Sequence, residues 1–312
     1  METQLDRFTV PAHDGFPLAA IRWLPKEAPR AILQIAHGMA EHAPRYAPFA
    51  RAAAAMGIAV YAHDHRGHGA SINDSAPRGH FADQDGFEKV LRDIGSVGAA
   101  ARAAHEGLPR FLLGHSMGSF FTRARVLEGD SDPLAGVILS ATGWRLSFGN
   151  KIMQSFAKRQ VKKHGASAPS PFMTKLVFGS FNLRFLPART AFDWLSRDPA
   201  VVDAYMADPL CGFDCSGQLW SDLLGAVYEI EQKEGDPSKL PRDLPTLLVV
   251  GTHDPVSMGG LGHRQLAARY RAAGNNDVTD KYYEAGRHEL LNETNRADVW
   301  SDILGWVEQR LG

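Results

Sequence analysis

An α/β architecture, with a mostly parallel eight-stranded sheet, helices on both faces and an inserted helical cap, is predicted by three observations. Short, nearly continuous apolar runs alternate with helix-patterned stretches from residue 31 onward. A Gly-His-Ser-Met-Gly segment lies where one of those runs meets one of those helices. The alternation then stops near residue 143 and resumes near 245. At 312 residues, with 44% hydrophobic and 22% charged side chains, the chain is large enough to bury such a sheet.

The elements follow in order. Arg7–Val10 and Leu18–Trp23 flank an Asp14-Gly15 turn and read as an antiparallel hairpin on the sheet edge. Ala31–Ala36 and Gly57–Ala62 are nearly continuous apolar runs, as expected of strands covered on both faces. Arg110–Leu113, Gly136–Leu139 and Thr246–Val250 read the same way, with helical stretches at about 46–56 and 86–106 between the first three parallel strands. Near the end, Trp300, Ile303, Leu304, Val307 and Leu311 share one face of a closing helix. Between 143 and 222, Phe, Met and Leu are scattered among Lys, Arg, Gly and Pro with no strand pattern. The expected partition is a core of 1–142 and 223–312 and a cap of 143–222.

Several classes are set aside. A formal net charge of −1 and the lack of zinc-finger or basic-helix patterns argue against nucleic acid as a partner. The opening Met1–Asp6 has neither a basic region nor an apolar one of the secretory kind, and no run of about 18 apolar residues is present. The cytoplasm is the default compartment. Cys211 and Cys215, four apart, lack metal-site company and read as two thiols near one helical face.

The chemistry centres on Ser116. The strand Phe111-Leu112-Leu113 runs into Gly114-His115-Ser116-Met117-Gly118, and Phe120–Leu127 continues as a helix. A sharp strand-to-helix turn lifts the serine oxygen clear of the backbone and tolerates only small residues two positions either side. The helix start also offers backbone N–H groups, and its dipole, to a developing oxyanion. A serine nucleophile needs a base, and the base needs an orienting acid. Asp254 lies just past the Leu247–Val250 run, and His288 follows the Lys281–Tyr283 run. The order Ser, acid, His is that of the α/β-hydrolase fold. His253, His263, Asp277 and Asp280 are weaker candidates: His263 belongs on the crossover helix, and both aspartates precede the last strand. His115 is read as packing, with its side chain away from the serine oxygen. His13, His80, His105 and His164 have no ligand spacing and read as surface residues. No metal or cofactor is called for.

The run from Ala31 ends in His37-Gly38-Met39-Ala40-Glu41-His42, followed by Arg45-Tyr46, a loop able to give a second oxyanion N–H alongside that of Met117. With Asp64-His65-Arg66-Gly67-His68-Gly69-Ala70-Ser71, the Ser116 elbow and the Asp254 and His288 segments, this set resembles the monoacylglycerol lipase and bacterial lysophospholipase group of α/β-hydrolases. The likeness covers both flanks of the core and fades across the cap. It implies an oxyanion hole of Met39 N–H and Met117 N–H, and contact of Glu41 and Arg45 with the polar head of a lipid ester substrate. It also implies hydrolysis of carboxylic esters, chiefly single-chain lipid esters, through an acyl-enzyme. Met39 stands where those lipases usually carry a small residue. Asp64–Ser71 is read as a structural loop supporting its neighbours.

Residues 143–192 carry nine Lys or Arg, no Asp or Glu, and seven Phe. A solvated basic face over a packed apolar one accounts for this, as does a cap that settles on lipid or micelle surfaces. Other outcomes stay open on the same triad: amide hydrolysis, acyl transfer, perhydrolysis, or a non-catalytic ligand receptor. Dehalogenases and epoxide hydrolases carry Asp where this chain has Ser116.

Overall fold

The computed structural model describes residues 4–129, 133–143 and 147–311; of the nine basic residues and seven Phe counted in 143–192, Arg145 and the Phe148 side chain lie outside the described set. The sheet is assembled from β1 (Gln4–Pro11), β2 (Pro17–Leu24), β3 (Ala31–Ala36), β4 (Ile58–His63), β5 (Arg110–His115), β6 (Gly136–Ser140), β7 (Thr246–Gly251) and β8 (Val278–Tyr283). Its spatial order is β1-β2-β4-β3-β5-β6-β7-β8. β1 and β2 form the expected edge hairpin, β2 meets β4 antiparallel, and every later pairing is parallel.

Alternation along each buried strand decides which layer a residue joins. Leu33 and Ile35 of β3, Phe111 and Leu113 of β5 and Leu247 and Val249 of β7 pack with α1 (Ala47–Ala55) and α9 (Arg296–Glu308). Leu112 and Val137 face the opposite layer, where α2 (Gly86–Ala104) and α3 (Met117–Glu128) sit. There Leu139 and Leu248 are covered by Leu266, Ala267 and Tyr270 of α8 (Leu261–Ala272). Each such fully buried Leu, Ile or Val contributes about 1.5–3 kcal/mol, so the parallel strands are as apolar as their two-sided burial demands.

The segment after β6 holds α4 (Ser147–His164), α5 (Pro171–Asn182) and α6 (Pro199–Ala207), with no strand among its described residues. α7 (Gly217–Lys233) follows and runs unbroken through position 222, where the sequence reading placed the end of the cap. Leu219, Trp220, Leu223, Val227 and Ile230 of α7 join the core layer with α2 and α3, while Gln154 of α4 caps the Ser221 carbonyl from outside. One helix therefore serves both parts. Ser216, its N-cap, accepts the Leu219 N–H at 3.1 Å and marks a more natural junction.

Four smaller expectations are corrected. Asp280 lies inside β8 and pairs with Arg271, because that edge strand is only half buried and polar residues fit it. His80 is buried, its ring held between Ser216 Oγ (2.9 Å) and Asp83 (3.0 Å). His105 is half buried against the Tyr61 hydroxyl, 2.9 Å away, whereas His13 and His164 are exposed as expected. Cys211 and Cys215 are both free and buried, but they lie in the connection before α7 rather than on a helix.

Candidate active site

β5 ends at His115 and α3 begins at Met117, so Ser116 alone makes the turn, at φ +51° and ψ −118°. Such a backbone costs a non-glycine residue on the order of 1–3 kcal/mol and persists only where the surroundings enforce it. The two glycines enforce it. A Cβ on Gly114 would collide with Thr122 Oγ1 and the Gly118 carbonyl, and one on Gly118 would collide with the Ala36 carbonyl of β3. Close approach of β3, β5 and α3 leaves Ser116 partly exposed between otherwise buried neighbours.

Asp254 sits three residues past β7, its N–H donating to the Gly251 carbonyl at 3.1 Å. One carboxylate oxygen, Oδ1, accepts Val256 N–H at 3.0 Å and lies 2.9 Å from His288 Nδ1. Burial raises the cost of that charge, but the facing imidazole and its hydrogen bond outweigh it and hold the carboxyl below its usual range. His288 is delivered by the loop after β8. Its N–H donates to the Trp194 carbonyl at 3.3 Å, and its ring lies 5.0 Å from the indole of Trp194. Ser116 and His288 line one cavity without a hydrogen bond between them, a contact that commonly tightens only when substrate is bound.

The loop from β3 arches over the nucleophile: a Cβ on Gly38 would stand 3.3 Å from that of Ser116. Among the described residues, the amides of Met39 and Met117 have no intramolecular acceptor, leaving two donors beside the serine. Glu41 ties the loop down. Its Oε1 accepts Gly38 N–H at 2.6 Å and the Tyr46 hydroxyl at 2.9 Å, and its Oε2 accepts Arg45 at 2.7 Å. Arg45 also donates twice to Glu289, at 2.7 Å each. Burial disfavours the Arg45 charge, yet the two carboxylates keep its pKa well above the ordinary value. Glu41 and Glu289 line the cavity, and Arg45, bonded to both, bridges their two loops from behind that lining.

The Asp64–Ser71 segment is structural, as expected. Asp64 accepts the amides of Ala43 (2.7 Å) and Ala70 (2.8 Å), His65 N–H donates to His37 Nε2 (2.9 Å), and Arg66 is clamped by Asp14 and Asp93. Burial holds His63 at about 3 and His68 at about 4, so this cluster is neutral near pH 7. His115 packs rather than acts: burial lowers it to about 4, and its ring lies 4.9 Å from that of His288. It also lines the cavity, its ring packed against the His288 loop. His263 lies on α8, fully buried.

Residues 193–205, placed in the cap from sequence but given no site role there, complete the site. Trp194, Leu195 and Tyr205 line the cavity, and the Leu195 carbonyl accepts Glu289 N–H at 2.7 Å. The cavity holds about 360 Å³, within the range of small-molecule sites, and its wall is mainly apolar: Met153, Val177, Phe178, Phe181, Trp220 and Leu223 among others. His42, Asp208 and Cys211 bring ligand-type atoms within 4.8 Å of one another. His42 Nε2 and Asp208 already satisfy each other at 2.8 Å, so this trio serves as a tie between loop and insertion.

A serine at a strained strand-to-helix turn, on a sheet of this order with an Asp–His pair at later strand ends, defines a serine hydrolase of the α/β-hydrolase fold. Residues 27–295 match the family described as "Serine aminopeptidase, S33". The chain is 32% identical over 289 residues to the monoacylglycerol lipase of Mycolicibacterium smegmatis, covering 93% of this chain and 92% of that one. It is 30% identical over 303 residues to the human monoglyceride lipase, covering 95% and 88%. In fold it superposes on a thermostable carboxyl esterase from Bacillus coagulans with a TM-score of 0.88 at 24% identity, each chain covered in full. The chain belongs to this family of serine hydrolases and is a carboxylic ester hydrolase.

Proposed function

We propose that the chain hydrolyses single-chain lipid esters, monoacylglycerols foremost, through an acyl-enzyme on Ser116. The observation that carries this reading is the apolar cavity of about 360 Å³ that opens on Ser116 and His288, with Glu41, Glu231 and Glu289 as its acidic lining. An acyl chain suits the Phe, Met, Leu and Trp wall, and a hydroxylated alcohol suits the carboxylates. The names of the full-length relatives support the same substrate class.

In the proposed mechanism Ser116 Oγ attacks the ester carbonyl as His288 Nε2 takes its proton. Asp254, on the other ring nitrogen, fixes the tautomer and stabilises the imidazolium. The amides of Met39 and Met117 hold the tetrahedral oxyanion. Collapse breaks the C–O bond, and His288 passes its proton to the departing alcohol. Water, deprotonated by His288, then attacks the acyl-enzyme; the second collapse returns that proton to Ser116 and frees the fatty acid. No metal or cofactor enters these steps. A series of monoacylglycerols of increasing chain length, run beside p-nitrophenyl esters and acyl amides, tests the reading. Turnover expected to be highest on monoacylglycerols is replaced, if the reading is wrong, by preference for short simple esters or amides.

Residues from 143 to about 216 are proposed to act as the cap that delivers the lipid. Ile152, Phe172, Leu183, Leu186 and Met206 are exposed on it, Leu183 and Leu186 by about two thirds. Lys158, Lys162, Lys163 and Lys175 are exposed on α4 and α5. Exposed apolar side chains and exposed cations on one insertion suit a peripheral contact with anionic lipid, each basic residue adding about 1 kcal/mol. No described helix is long and apolar enough to cross a membrane. Co-sedimentation with anionic vesicles well above that with neutral ones is expected; equal, negligible binding to both rejects the contact.

A further inference from the structure

The loop that carries Met39 bends through a strained residue. Ala40 has φ +53°, a left-handed conformation in which a Cβ is disfavoured, and it is fully buried. Core groups hold the loop on either side of it: Glu41 grips Gly38 N–H, and Asp64 grips Ala43 N–H. Ala40 itself is held from the insertion. Its carbonyl accepts the Tyr205 hydroxyl at 3.0 Å and Gly212 N–H at 2.9 Å. The same two turns are joined again by His42 and Asp208 at 2.8 Å. Tyr205 is in turn fixed, its ring 4.8 Å from the Arg45 guanidinium and 5.1 Å from Phe192.

We propose that Tyr205 is a positioning residue: its hydroxyl clamps the Ala40 turn in its strained conformation and so aims Met39 N–H at the developing oxyanion. The proposal rests on the reading of Met39 as an oxyanion donor. Two donors on one carbonyl offset a strain that an alanine would otherwise release by rotating its peptides. The seating of α6 on the core thereby becomes a condition for a complete oxyanion hole, and the insertion contributes to the chemical step as well as to substrate access.

A double-mutant cycle tests this. Tyr205→Phe keeps the ring and its packing and removes only the donor. It is expected to lower kcat about tenfold with KM changed less than about twofold, the signature of an interaction made in the transition state. Glycine adopts positive φ without strain. In the Ala40→Gly background the same Tyr205→Phe substitution is therefore expected to cost about twofold or less. Thermal melting of each variant monitors the fold, and a melting loss that Ala40→Gly restores has the same meaning. Equal losses in both backgrounds, or an effect confined to KM, overturn the clamp. A crystal structure of a phosphonate adduct separates this from the underlying assignment. A phosphonyl oxygen away from Met39 N–H overturns the oxyanion reading itself, whereas one bonded to it leaves the cycle to decide the clamp alone.

Discussion

Glu41→Gln separates two roles open to that residue, anchor of the oxyanion loop and binder of the substrate's polar head. The carboxylate accepts from Gly38 N–H and the Tyr46 hydroxyl on one oxygen and from Arg45 on the other. Burial raises the cost of the charge, but Arg45 and the donors around it hold Glu41 below its usual pKa, so it is ionised. An amide supplies one acceptor and one donor, and in either orientation a donor meets a donor. With the NH₂ toward Arg45, a charge-assisted bond of about 1.5–3 kcal/mol is lost, partly offset because Arg45 keeps Glu289. With the NH₂ toward Gly38, a buried amide loses its acceptor at about 1–3 kcal/mol. Either way the protein is expected to lose about 1–3 kcal/mol, and kcat on a short p-nitrophenyl ester should fall with it because Met39 is displaced. Urea titration and steady-state kinetics read the two quantities. An unchanged urea midpoint, with full short-ester turnover and only a raised KM for monoacylglycerol, would refute the anchoring argument.

Three further outcomes follow from the same geometry. Asp254→Asn keeps the shape but reverses the donor facing His288 Nδ1; kcat is expected to fall by about 10³- to 10⁴-fold with the fold retained, as circular dichroism and ester hydrolysis can check. Buried His63, His68, His115 and His263 have pKa values of about 3 to 4 against 6.5 when exposed. The unfolded chain thus binds more protons below pH 6.5, so their stability is fully present above that pH and is lost as pH falls toward 4. Each costs about 1.4 kcal/mol per pH unit in that window, and a urea midpoint constant from pH 7 to 4.5 would contradict it. Gly118→Ala drives a methyl into the Ala36 carbonyl and is expected to cost about 2 kcal/mol or more, seen as a lowered melting temperature together with lost activity.

What was legible in the sequence was whatever burial or chemistry writes locally. β3, β5 and β7 announce themselves because both faces are covered, and the Ser116 elbow because its glycines have no room for a Cβ. Asp254 and His288 followed from fold order, and they are hydrogen-bonded in the structure. β8 was blurred because its residues are mostly half buried, which is why Asp280 was placed ahead of it. Contacts closed over long sequence distances left no local mark. His80 meets Ser216 136 residues away, Tyr205 meets Ala40 165 away, and Arg45 meets Glu289 244 away. The end of the cap is hard to read for a related reason: α7 is apolar toward the core and also contacts α4, so no change of pattern marks the crossing.

Ser116 is proposed as the nucleophile of a lipid ester hydrolase. Fatty-acid release from a monoacylglycerol, measured side by side for the native chain and Ser116→Ala, tests it most directly. Steady multiple turnover by the native chain and a loss of at least about 10³-fold in the variant are predicted. Comparable release by both, or none from monoacylglycerol by a native chain that still cleaves simple esters, would contradict it.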